Sequence, residues 1–120
     1  MEHPMYPDTT KEIARKRREL APEISSAFRA FGQRVFADGA LPEKTKQLIA
    51  VAVAHVTQCP YCIRGHTELA VQKGATEPEI MEAIWVAAEM RAGAAYSHSA
   101  LALDTIAQVR NEDLKEEALK

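Results

Sequence analysis

Glycine is scarce in this chain, with 5 among 120 residues, and no stretch alternates apolar and polar side chains long enough to make a strand. That excludes an architecture built on hairpins and sheets. An excess of base is also missing: 15 Lys and Arg stand against 17 Asp and Glu, so no positive field is available to hold a nucleic-acid backbone. Aromatic residues make up only 6%, too few for a base-stacking platform. The longest apolar run, "LIAVAVAHV" with His55 embedded, is far too short to span a bilayer. The opening "MEHPMYPDTT" lacks the basic start and apolar core of a secretory leader. The expectation is a cytoplasmic protein with neither nucleic acid nor membrane as partner. Cysteine is reduced to two residues, Cys59 and Cys62.

Helix formers fill the space these absences leave. Ala, Glu, Leu, Lys and Arg dominate, and the reading is one all-α domain over residues 1–120, a bundle of about five to six helices. N-terminal helices are expected within residues 8–38. The polar "TTKEIARKRREL" makes a largely solvated first helix. A second opens at Pro22 and carries Ile24, Phe28, Phe31, Val35 and Phe36 at helical spacing, with Gly39 as its stop. A third begins near Pro42 and is apolar on nearly all sides from Leu48 to Val56, which suits a helix buried by its own domain on one side and a subunit on the other. Pro60 ends that run and opens a short fourth helix that stops at Gly74. Thr76 with Glu79 three residues on has the capping-box pattern of a fifth helix, which Gly93 is expected to bend or break. The charged tail "NEDLKEEALK" is expected to fray or lie on the surface.

Chemistry concentrates in "TQCPYCIRGH", residues 57–66. The spacing leaves three uses for the thiols: half of a zinc site, a disulfide staple, or a dithiol that cycles between reduced and oxidised forms. With Cys59 at the N-cap and Pro60 in the first turn, Cys62 falls in the same turn and His66 one turn further on the same face. The free amide N–H groups at a helix start favour a thiolate, and His66 can exchange a proton with Cys62. A second thiol within reach lets an oxidised first sulfur close to a disulfide. A zinc site wants four ligands. Besides the cysteines the chain offers His3, His55, His66 and His98, and a mixed Cys59, Cys62, His66, His98 set can be drawn.

The segment "KTKQLIAVAVAHVTQCPYCIRGHTELAVQKGATEPEIMEAI" resembles the core of the AhpD-like alkylhydroperoxidase group within the carboxymuconolactone decarboxylase superfamily. The resemblance covers roughly residues 41–100. It rests on C-x-x-C-x-x-x-H placed after an apolar helix and before the "GAT" turn. It implies an all-helical homo-oligomer, a trimer or hexamer with hexamer preferred, that reduces hydroperoxides through a redox-active disulfide. No metal or bound cofactor is implied; a lipoyl- or thioredoxin-like dithiol would supply the electrons. By the same resemblance Cys62 attacks the peroxide, Cys59 closes the disulfide and His66 belongs to the proton relay. Where the group usually has a relay glutamate, this chain has Gln47, which can orient His66 but cannot take its proton at neutral pH. Slow turnover is therefore expected unless Glu89 or His98 stands in, with Glu43 and Glu68 as weaker substitutes. His55 could form the pocket floor, and Tyr61 could shield the thiols from water.

Two other functions compete with the dithiol peroxidase. A zinc- or partner-binding oligomeric module could use the same thiols. Decarboxylation of a lactone acid, as the superfamily name suggests, needs no cysteine pair and would draw on Arg64 or Arg91 to hold a substrate carboxylate.

Overall fold

A computed structural model describes residues 4–119 and contains five α-helices, with no strand among the described residues. They are α1 (Lys11–Leu20), α2 (Pro22–Phe36), α3 (Glu43–Thr57), α4 (Pro60–Gln72) and α5 (Glu77–Leu119). Thr10 caps α1 by accepting the Ile13 N–H at 3.2 Å. The chain turns at Ala21, and Pro22 opens α2, where its missing N–H costs nothing. That helix ends at Phe36, ahead of Gly39. Lys46 supplies the reason: its Nζ donates to the carbonyls of Val35 and Ala37 at 2.8 and 2.6 Å, satisfying groups a further turn would have used. Asp38 then accepts the Glu43 N–H at 2.7 Å and starts α3.

α3 is the central element, with α4 and α5 packed against it. The core is small: Val51, Ala70, Ala75 and Ile80 are buried together, with Leu48 and Ile84 against them. Ala54 and Ala87 are buried as well. The opposite side of α3, carrying Ile49, Val53 and Val56, remains about half exposed. Alanines bring the three helices close around the few larger side chains of the core, while others such as Val71, Met81, Trp85 and Val86 face outward. The α1–α2 hairpin touches the rest through a limited contact of α2 with α3, and the stripe Ile24, Phe28, Phe31, Val35 is open to solvent, Phe28 at 73%.

The expected bend or break at Gly93 does not occur. α5 runs unbroken for 43 residues and includes the charged tail, which is exposed but helical. A glycine costs a helix only about 1 kcal/mol relative to alanine, and Gly93 is flanked by Ala92, Ala94 and Ala95, the best helix formers. The space beside it is used by the Glu89 carboxylate, 3.4 Å from where a Cβ would stand. The first half of α5 packs on α3; residues 94–119 are exposed throughout. The described chain is accordingly long, 73 × 35 × 35 Å.

Candidate functional site

The turn between α3 and α4 places the thiols. Gln58 adopts the left-handed conformation (φ 58°) at the end of α3, and its backbone N–H donates to the Ala54 carbonyl. The Cys59 N–H reaches the same carbonyl at 3.2 Å. This tight reversal leaves Cys59 extended as the N-cap of α4, with Pro60 in the first turn. Sulfur takes the role an oxygen fills in most N-caps: Cys59 Sγ accepts the Cys62 N–H at 3.3 Å. The two sulfurs lie 2.6 Å apart as free thiols, both half-buried.

This arrangement makes the thiols unequal. Donation from the Cys62 thiol, then from the Cys62 amide and the Tyr61 backbone, pulls the Cys59 pKa below its ordinary value against a smaller opposing effect of desolvation. Cys62 moves the other way, because its proton is engaged by Cys59 and because burial and the charge on Cys59 disfavour a second thiolate. Of the two thiols, Cys59 is the readier to lose its proton.

His66 lies one turn beyond Cys62 on α4. Its Nδ1–H donates to Gln47 Oε1 on α3 at 2.8 Å, and its ring stacks on Phe36, with centroids 5.1 Å apart and planes at 27°. Gln47 is 2% exposed and is the buried polar residue of the core, satisfied by this bond. With Nδ1 committed to an amide oxygen, the neutral ring presents Nε2 as an acceptor. Beside this pair an open pocket of about 320 Å³ is lined by residues including Gly32, Gln33, Phe36, Gln47 and Leu69.

Of the sequence-predicted residues, Cys59 meets Cys62 and His66 meets Gln47, with His66 one turn beyond Cys62 along α4. The others go elsewhere. His55 Nδ1 bonds to the Val51 carbonyl one turn back on its own helix, and His98 does the same with Ala94 on the exposed half of α5. Glu89 is exposed and folds along α5 beside Gly93. Glu43 pairs with Lys73 at 3.2 Å, and Glu68 is exposed. Tyr61 faces the N-terminal segment: its hydroxyl donates to the Pro7 carbonyl at 2.8 Å and its ring meets Tyr6 edge-on. Among the described residues no group of three or more His, Cys, Asp or Glu is arranged to hold a metal ion, so the drawn Cys59, Cys62, His66, His98 set is not assembled. His3 lies outside the described residues.

Sequence reasoning missed two neighbours of the site. Phe36 was legible only as the last apolar residue of α2, and nothing local signals that it stacks on a ring thirty positions away. The docking of Tyr6, Pro7 and Asp8 on the start of α4, closed by an Arg64–Asp8 pair at 3.5 Å, also has no local signal.

An all-helical chain presenting a helix-capping dithiol with a histidine one turn on defines the class. Its sequence matches that of the carboxymuconolactone decarboxylase family over residues 22–105, and the chain belongs to that family. It is 64% identical over 86 residues to an uncharacterised protein of the cox locus of Paracoccus denitrificans, covering 72% of this chain and 78% of that one. Among solved structures, a carboxymuconolactone decarboxylase family protein from Legionella pneumophila is 40% identical at a TM-score of 0.62, covering 64% of this chain and 69% of that one. Another family protein, from Thermotoga maritima and described with a possible involvement in antioxidative response, is 35% identical at a TM-score of 0.52, covering 54% of this chain and 67% of that one. No helix among the described residues is long and apolar enough to cross a membrane.

Proposed function

We propose that the chain is a thiol-dependent peroxidase or disulfide oxidoreductase whose working unit is the Cys59–Cys62 pair. The observation that carries this reading is the pair itself: two free sulfurs 2.6 Å apart at a helix start, with the Cys62 backbone N–H donating to Cys59 Sγ. The description of the Thermotoga maritima relative points the same way. The resemblance alone gives the first attack to Cys62; the hydrogen bonding favours the reverse order. The Cys59 thiolate attacks a peroxide oxygen, the O–O bond breaks, and the alkoxide or hydroxide leaves and is protonated. The Cys62 thiol, giving its proton towards His66, then attacks the Cys59 sulfenic acid, forming the disulfide and releasing water. A cellular dithiol of lipoyl or thioredoxin type restores both thiols by exchange and is itself oxidised to a disulfide. The protein works as a homo-oligomer, which accounts for the apolar faces of α2, α3 and α5 that one copy leaves exposed.

The test is thiol counting by alkylation and intact mass before and after one equivalent of hydroperoxide. The expected result is the loss of two hydrogens' mass and of both alkylation sites, reversed by a dithiol. Retention of both sites after peroxide overturns the reading. Cys62→Ser is expected to leave a trappable sulfenic acid on Cys59, and Cys59→Ser to lose the fast reaction; the opposite pattern restores Cys62 as the attacking thiol.

Decarboxylation has less support. Arg64 is engaged by Asp8 and Arg91 reaches the Val56 carbonyl at 3.4 Å, and neither lines the pocket beside Gln47. A zinc- or partner-binding module remains the other use of the same thiols, and metal content of the reduced protein would reveal the metal form.

A further inference from the structure

An open, largely apolar groove of about 750 Å³ lies between α1 and α2, lined by residues including Ala14, Ile24 and Phe28 and bordered by Arg17, Arg18 and Arg29. None of these arginines has an ion-pair partner among the described residues. α1 as a whole carries five basic side chains and two acidic ones. The apolar stripe of α2 is regular: Ile24 and Phe28, which line the groove, and Phe31 and Val35 beyond it recur at steps of four, three and four, the seam one helix offers another.

The far half of α5 has the complementary features. Tyr96, Ala100, Leu103, Ala107 and Leu114 recur at steps of four, three, four and seven along residues 94–119, and Tyr96, Leu103 and Leu114 are 82%, 66% and 64% exposed. From Asp104 to Leu119 the segment carries five acidic side chains and two basic ones, the mirror of α1. Left bare in water, a helical segment of this size is marginal. It is also continuous with the half of α5 fixed on α3, so it cannot fold back onto its own hairpin without breaking the helix.

We propose that the α1–α2 groove of one copy is filled by residues 94–119 of α5 from a second copy, apolar stripe against apolar stripe and acidic end against arginine rim. This rests on the homo-oligomer reading above and identifies the surfaces that build it. It also reaches the dithiol site, because Gly32 and Gln33 line both this groove and the pocket beside Gln47 and Phe36. The incoming helix walls that pocket on its α2 side, so each site is completed by its neighbour.

The experiment is sedimentation of the full chain in three forms: unaltered, Arg18→Glu/Arg29→Glu, and Asp113→Lys/Glu117→Lys. All four positions involved in the charge exchange are exposed, and retained helicity by circular dichroism checks each variant's fold. The unaltered chain is expected to be an oligomer at micromolar concentration. Each reversal should raise its dissociation constant at least tenfold. An equimolar mixture of the two should reassemble, since the acidic groove of one then meets the basic helix of the other. An unaltered chain that stays monomeric overturns both the assembly and this interface. An oligomer indifferent to both reversals, or variants that weaken but fail to recover on mixing, overturns the interface alone. The peroxide-driven mass change tests the dithiol chemistry independently of either result.

Discussion

Gln47 sets the character of the site more than either cysteine does. It is the deepest polar side chain, it meets His66 at 2.8 Å, and it is neutral. An amide oxygen fixes the imidazole in the tautomer whose Nε2 accepts a proton, but it does not stabilise the imidazolium that results. A carboxylate in the same place would do both. Gln47→Glu is therefore expected to make His66 more basic and to speed disulfide formation after peroxide by about tenfold at pH 7, the effect of roughly one unit of proton affinity. The check is the rate of loss of alkylatable thiol, alongside the His66 titration followed by NMR. A faster rate with an unmoved titration would mean that the glutamate acts in some other way. Because a glutamate at this depth keeps its charge only beside a protonated partner, folding and His66 protonation should become linked in the variant.

At the scale of the element, the start of α5 is the most completely capped helix end. Glu79 Oε1 accepts from the Thr76 N–H at 2.9 Å, Thr76 Oγ1 accepts the Glu79 N–H at 3.3 Å, and Glu79 Oε2 pairs with Lys44 of α3 at 2.8 Å. Lys44 first, then the Thr76 amide, lower the Glu79 pKa from 4.5 to about 2. A carboxylate with a depressed folded-state pKa contributes stability that is fully present above pH 4.5 and is lost as the pH falls towards 2. Glu79→Gln should thus be less stable than the unaltered chain at pH 7, with the difference shrinking between pH 4.5 and about 2. Urea unfolding across that range measures it, and a difference independent of pH would show that the carboxylate's charge is not what the bridge uses. This cap was legible in the sequence because Thr-x-x-Glu is a local pattern with a local cause. The same holds for Pro22, and for the Cys59-Pro60 start that puts both thiols in one turn. Gly93 misled because one residue's propensity was set against a run of alanines that outweighed it. The Gln47–His66 contact was foreseen only through a family resemblance. The stacking of Phe36 on His66 was not foreseen, since helical periodicity marks which face is apolar and not which residue of another helix it meets.

The whole molecule is an imbalance between a thin core and a wide apolar exterior. Its buried apolar residues are Val51, Ala54, Ala70, Ala75, Ile80 and Ala87, four of them alanines, while Phe28, Phe31, Trp85, Tyr96 and Leu103 stand in solvent. At roughly 25 cal/mol per Å² of buried apolar surface, alanines contribute little, so most of the available hydrophobic stabilisation lies on faces one copy cannot cover alone. Stability should then be divided by region and tied to concentration. In dilute protein, amide hydrogens of α1, α2 and residues 94–119 should exchange quickly, while those of α3, α4 and the first half of α5 persist. As concentration rises through the assembly range, the first group should gain protection together, by at least tenfold, because the same contact that shields the α2 stripe shields the α5 stripe. Hydrogen exchange read by mass spectrometry at two concentrations resolves these segments. Protection of α2 without residues 94–119 would assign the groove to some other occupant. Exchange that ignores concentration in both would mean that the exposed faces are stable as they stand and that the chain folds without a partner.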